Sequence, residues 1–130
     1  MAEPRAKVLE FAASVGRDGR VEALGETVQP PEAWAPEHLV LAGLVRCSLT
    51  SLRYHARRAG IEVEAAGEAS GTVTRREEDG RYAFVDIECR LEVALTPAPD
   101  DLDALLAKAE RDCFVGASLT AKPDYVWNVA

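Results

Sequence analysis

The chain has 130 residues, 48 % of them apolar and 28 % charged, and a formal net charge of −7. That length holds one domain with one modest core, and the acidic balance argues against a surface that grips phosphate backbones. No apolar run approaches the roughly 18 residues of a membrane span, and the polar start from Met1 to Lys7 carries no visible export signal. A cytoplasmic protein that binds neither nucleic acid nor membrane is expected. The densest basic clusters, Arg53/Arg57/Arg58 and Arg75/Arg76, have acidic neighbours or sit at element ends.

In chain order, residues 5–13 read as a first strand, with an apolar stretch from Val8 to Ala13. Gly16-Arg17-Asp18-Gly19 is a turn. Residues 20–28 form a second strand and close an N-terminal hairpin. Residues 29–34 are a loop. Pro36 opens a helix, where its missing N–H costs nothing, and Glu37 follows where a negative charge suits the helix dipole. The helix runs to about Arg58 and stops at Gly60. Its first half, Leu39 to Val45, is apolar on every side, which predicts burial all round, by sheet or by a second subunit.

Residues 61–77 and 81–96 read as two long strands joined at Glu78-Asp79-Gly80. Ala83, Val85, Ile87, Cys89, Leu91, Val93 and Leu95 are all apolar at odd positions, the period of a half-buried strand. Ile61, Val63, Ala65 and Val73 keep the same phase. Pro97 and Pro99 end the second strand, and Asp100 and Asp101 begin a second helix. Leu102, Leu105, Leu106, Ala109 and Cys113 share one face at helical spacing. Residues 125–129 read as a final strand. The order β-β-α-β-β-α-β argues for an α+β fold.

The cysteines are Cys47, Cys89 and Cys113. An odd count, with no zinc-like spacing, implies neither a secreted disulfide framework nor a structural metal. Cys89 occupies a core slot in a strict alternation and reads as packing. Cys47 sits mid-helix where the apolar run gives way to Ser48, Thr50 and Ser51, and composition alone favours an ordinary buried cysteine there too. Cys113 ends the apolar face of the second helix. Two core helices each carrying a cysteine could bring them within disulfide range, but spacing cannot establish the distance. His38 and His55 have no carboxylate or cysteine at ligand spacing and read as helix-surface or packing residues.

The run from Pro36 through Glu37 to Cys47 resembles the motif around the reactive cysteine of the OsmC/Ohr family. There Pro-Glu opens a long central helix and cysteine stands ten residues after the glutamate, as it does here. Cys113 lies 66 residues after Cys47, similar to the family's second cysteine, although Phe114 stands where proline is common. The turn at Gly16 to Gly19 looks like the one that carries an active-site arginine in Ohr members. The resemblance covers nearly the whole chain. It implies an OsmC-like fold, with antiparallel sheets wrapping central helices in an intertwined homodimer.

It also implies a thiol-dependent peroxidase acting on organic hydroperoxides. Cys47 would be the attacking thiolate and Cys113 the resolving thiol. Arg17 would favour the thiolate, since a guanidinium never deprotonates, and Glu37 would hold Arg17 in a bidentate pair. Cys113, at the end of its helix, would draw nothing from the dipole. No metal or flavin is implied, only an external dithiol reductant of lipoyl type or carried on a lipoylated protein. Leu44, Trp34 and Phe114 are candidates to line an apolar pocket. The alternative is a non-catalytic dimeric module that keeps the fold and binds a small apolar ligand.

Overall fold

A computed structural model describes residues 6–130. The chain forms two compact units, one ending at Ala35 and the other spanning Pro36–Ala130. Among the described residues no helix is long and apolar enough to cross a membrane.

The N-terminal unit is a three-stranded antiparallel meander of β1 (Ser14–Val15), β2 (Val21–Ala23) and β3 (Glu26–Val28). The turn at Gly16–Gly19 stands where expected. Gly16 N–H donates to Arg20 O at 2.9 Å, Gly19 N–H to Gly16 O at 3.0 Å, and Gly19 takes a φ of 82°. Two expectations are corrected here. The first strand is not at residues 5–13: residue 5 lies outside the described residues, residues 6–13 are not strand, and Phe11 is 86 % exposed. An apolar stretch marks a segment able to pack, but a strand exists only where its N–H and C=O groups find a ladder. The expected strand at 20–28 is two strands, because Leu24 (φ 54°) and Gly25 (φ 77°) make a tight turn. Both central residues of such a turn need positive φ. Leucine there hides the signal, since a side chain in that region costs roughly 1–2 kcal/mol.

In the second unit α1 (Pro36–Arg58) is followed by the hairpin of β4 (Glu62–Arg75) and β5 (Tyr82–Thr96). Then come α2 (Leu102–Arg111), α3 (Phe114–Ser118) and β6 (Asp124–Val129). The sheet order is β4-β5-β6. It is mixed rather than wholly antiparallel, because β6 pairs parallel with β5. A parallel neighbour needs a crossover connection, and α2 with α3 supplies it.

The core joins α1, β5 and α2 through Leu44, Leu52, Ala56, Ile87, Cys89, Leu91, Leu105 and Ala109. On α1 the buried positions Leu44, Ser48, Leu52 and Ala56 are four apart, a single stripe. The expected all-round burial of Leu39 to Val45 is not what one chain provides: Leu39 is 42 % and Val40 38 % exposed. The odd-phase alternation also fails at the turn end of the hairpin. Thr72 faces Asp86 but Val73 faces Phe84, so Val85 is an extra, bulged residue. A bulge inverts the faces beyond it. Val85 accordingly lies exposed while Phe84 packs on the core; Val73, opposite Phe84, keeps its face but is 42 % exposed.

Cys113 is displaced from its expected place as well. Asp101 caps α2, its carboxylate accepting from Ala104 N–H at 3.0 Å. The helix ends at Arg111, and Cys113 is the N-cap of α3. Leu105 and Ala109 keep the core-facing stripe without it.

Candidate active site

Three side chains on one face of α1 hold the segment from Ala109 to Cys113. The Ser48 hydroxyl lies 3.4 Å from Cys113 Sγ. The Ser51 hydroxyl donates to Ala109 O at 2.8 Å. His55 Nε2 meets Asp112 Oδ2 at 2.7 Å. Positions 48, 51 and 55 follow the three-and-four spacing of neighbours along a helix. Their partners, Cys113, Ala109 and Asp112, lie within one short segment from the end of α2 to the start of α3, so these contacts set where Cys113 stands. His55 is thus an anchoring residue, not merely a surface one. The sequence signal available was the spacing of Ser48, Ser51 and His55 among the apolar positions Leu44, Leu52 and Ala56 of α1.

Arg111, and then His55, hold the Asp112 carboxyl down at about 2. Its folded value is depressed, so its stabilising share is whole above the ordinary carboxyl range and is lost as pH falls through about 2. An Asp112→Asn protein is expected to be less stable than wild type at neutral pH. The gap should close as acid unfolding is followed downward from about pH 4. A gap independent of pH would mean that the charge of Asp112 contributes nothing.

Cys47 projects from the middle of α1 and is partly exposed; Cys113 is fully buried. Both thiols lie at the start of α3, each accepting from one of two adjacent backbone N–H groups. Val115 N–H donates to Cys47 Sγ at 3.5 Å and Gly116 N–H to Cys113 Sγ at 3.4 Å. Their environments differ. Burial, followed by the neighbouring Cys113, pushes the Cys47 thiol up. Burial opposes ionisation of Cys113 too, but Ser48, the Gly116 N–H, Tyr125 and Cys47 outweigh it and bring that thiol down. The expectation that Cys113 draws nothing from a helix end is therefore corrected. It stands at the start of α3, where the Gly116 N–H donates to its sulfur.

Cys89 is buried in β5, directly across from Tyr125 on β6. Burial pushes its thiol up, in keeping with a packing role. The Tyr125 hydroxyl is buried beside Cys113 and Ser48, near enough to be coupled to them, yet without a hydrogen bond in ordinary geometry. A buried donor left unpaired costs about 1–3 kcal/mol. Nothing in the sequence marked Tyr125, because its neighbourhood is created by the crossover.

Gly116 is what admits the phenol. A Cβ there would lie 2.7 Å from the Tyr125 hydroxyl, 3.4 Å from Cys113 Sγ and 3.5 Å from Leu44 Cδ1. Gly116→Ala is expected to cost about 1–3 kcal/mol by overpacking and to slow oxidation of the Cys47/Cys113 pair. Chemical denaturation and thiol titration check both. Full stability with an unchanged oxidation rate would refute it.

The other two residues singled out from the sequence are Glu37 and Arg17. Glu37 is exposed in the first turn of α1, about 15 Å along the axis from Cys47, and makes no hydrogen bond or ion pair among the described residues. Arg17 is an exposed turn residue of the N-terminal unit. Of the apolar candidates, Leu44 is fully buried and cannot line an open pocket, whereas Phe114, next to Cys113, is 59 % exposed. Trp34 is exposed in the N-terminal unit.

The model of the family described as OsmC-like protein matches residues 29–128. The chain belongs to the OsmC-like family. No curated protein matches its sequence. Among solved structures, an OsmC-like protein of unknown function from Vibrio cholerae superposes with a TM-score of 0.75 at 16 % identity, over 95 % of this chain and 100 % of that one. An organic hydroperoxide resistance protein from Legionella pneumophila gives 0.59 at 22 %, over 98 % and 99 %. One from Elizabethkingia anophelis gives 0.63 at 19 %, over 98 % and 100 %. At such identities these likenesses establish an OsmC-like α+β fold. In this OsmC-like chain the element that joins α2 to β6 carries Cys113 to Cys47.

Proposed function

We propose that this OsmC-like protein is a thiol-dependent peroxidase for organic hydroperoxides, in which Cys47 attacks and Cys113 resolves. The observation that carries the reading is the pair of thiols at the start of α3: a partly exposed thiol that a peroxide can reach, backed by a buried thiol held by donors. Membership of a family with hydroperoxide resistance proteins among its structural neighbours supports it.

Cys47, as thiolate, attacks the distal oxygen of ROOH, and the O–O bond breaks. Alkoxide leaves and takes a proton to become ROH, and Cys47 becomes the sulfenic acid. Cys113 thiolate then attacks the Cys47 sulfur. The S–O bond breaks, hydroxide leaves and is protonated to water, and the disulfide remains. A dithiol, of lipoyl type in this reading, returns both thiols by exchange and is itself oxidised to a disulfide. Arg17 enters the proposal as the guanidinium that favours the Cys47 thiolate, and Glu37 as the carboxylate that holds Arg17. No metal or organic cofactor is required. The reading places the protein in the cytoplasm, where dithiol reductants operate.

A homodimer belongs to the same proposal. It would cover Leu39 and Val40 on α1, which one chain leaves in water. Sedimentation over a range of concentrations tests that part.

The chemistry is tested by mass mapping after one equivalent of cumene hydroperoxide. The expected product is an intramolecular Cys47–Cys113 disulfide, with Cys89 still reduced. Cysteines left reduced in a folded protein would overturn the peroxidase and leave the non-catalytic module that binds a small apolar ligand.

A further inference from the structure

We propose that Tyr125 binds the Cys113 thiolate, its buried hydroxyl being a donor that is paired only when Cys113 is ionised. The inference rests on the reading that Cys113 resolves the Cys47 sulfenic acid, and it adds a residue to that step.

Three observations lead to it. The Tyr125 hydroxyl is buried and lacks a partner, and native structures seldom leave a buried donor so without a functional cause. It sits against Gly116, the residue whose N–H already donates to Cys113 Sγ at 3.4 Å. The remaining hydroxyl at the sulfur, that of Ser48, has a single proton and also stands 2.8 Å from Leu44 O. While Cys113 is a thiol, Ser48 donates to Leu44 O, the Cys113 S–H needs only an acceptor, and the phenol is redundant. Once Cys113 is anionic its sulfur accepts several donors. Tyr125 and Ser48 then turn to it, and Leu44 O retains its helix N–H. Burial of the phenol pushes its own ionisation up, so it donates without losing its proton. The anion formed is the species that attacks Cys47. The S–S bond forms as the S–O bond breaks, and the departing hydroxide is protonated to water.

The test is Tyr125→Phe, which removes one oxygen and keeps the ring. The Cβ carbon resonance of Cys113, followed by NMR through a pH titration, reads its ionisation without requiring access to the buried sulfur. Its midpoint is expected to rise by about one pH unit or more. At a fixed pH below the midpoint the thiolate fraction falls about tenfold, and disulfide closure should slow by a similar factor. Cys47 sulfenic acid, trapped with dimedone, should accumulate while its rate of formation is unchanged. Thermal stability should hold or rise, because a buried unpaired hydroxyl has been removed. An unchanged Cys113 midpoint, with or without a loss of stability, overturns the proposal and makes Tyr125 packing alone. A raised midpoint in a protein that consumes no hydroperoxide sustains the Tyr125 contact and removes the peroxidase.

Discussion

Replacing Cys47 by serine is expected to lower hydroperoxide consumption with dihydrolipoamide at least about a thousandfold in kcat/KM. A serine hydroxyl does not ionise near neutral pH, and its oxygen cannot form the sulfenic acid through which the electrons pass. The Cys113→Ser protein is expected to behave differently. It should still complete one peroxide reduction per chain, at close to the wild-type rate for that step. Its Cys47 sulfenic acid then waits for the external thiol, so steady turnover falls while the first turnover survives. This contrast matters because the acidity order is the reverse of the simple expectation: Cys113 is shifted down and Cys47 up. If acidity decided the nucleophile, Cys113 would attack. In the proposed mechanism access decides instead, since Cys113 is fully buried and Cys47 is not. A Cys47→Ser protein as active as wild type would exclude Cys47 as the nucleophile.

Leu52→Ala is expected to lower stability by about 2–5 kcal/mol. Leu52 is fully buried in the cluster that joins α1 to β5 and α2, so deleting its branch leaves a cavity its well-packed neighbours cannot close. Urea unfolding of the two proteins at equal concentration measures the loss. Val40→Ala provides the control. Val40 is 38 % exposed, and truncating it in an isolated chain should cost well under half as much. A Val40→Ala cost that rivals Leu52→Ala and varies with protein concentration would mean that a second chain covers this face. A Leu52→Ala loss below about 1 kcal/mol would show that the core collapses around the site.

Local pattern alone determined the long elements. Pro36, Glu37 and Gly60 bound α1, and the alternation from Ile87 to Leu95 set the core face of β5. Each of these rests on the chain's own periodicity or on a residue whose backbone preference acts within one turn. The spacing from Glu37 to Cys47 pointed to the family for the same reason, since both lie on one continuous helix. What failed locally was whatever a neighbour decides. Val85 looked like a core residue until a bulge against Thr72 and Val73 turned it outward. Residues 6–13 are mostly apolar, yet have no ladder. Cys113 fitted the face of α2, but that helix ends at Arg111 and the cysteine caps α3 instead.

The site divides in the same way. Cys47 could be picked from its place on α1. The contact with Cys113, the anchoring by Ser48, Ser51 and His55, and the nearness of Tyr125 arise only when the crossover folds back and lays β6 parallel to β5. The same is true of the acidity order within the pair. A thiol's ionisation depends on the donors and the burial around its sulfur, and two of these donors, Ser48 at Cys113 and Val115 at Cys47, stand 65 and 68 positions away in the chain.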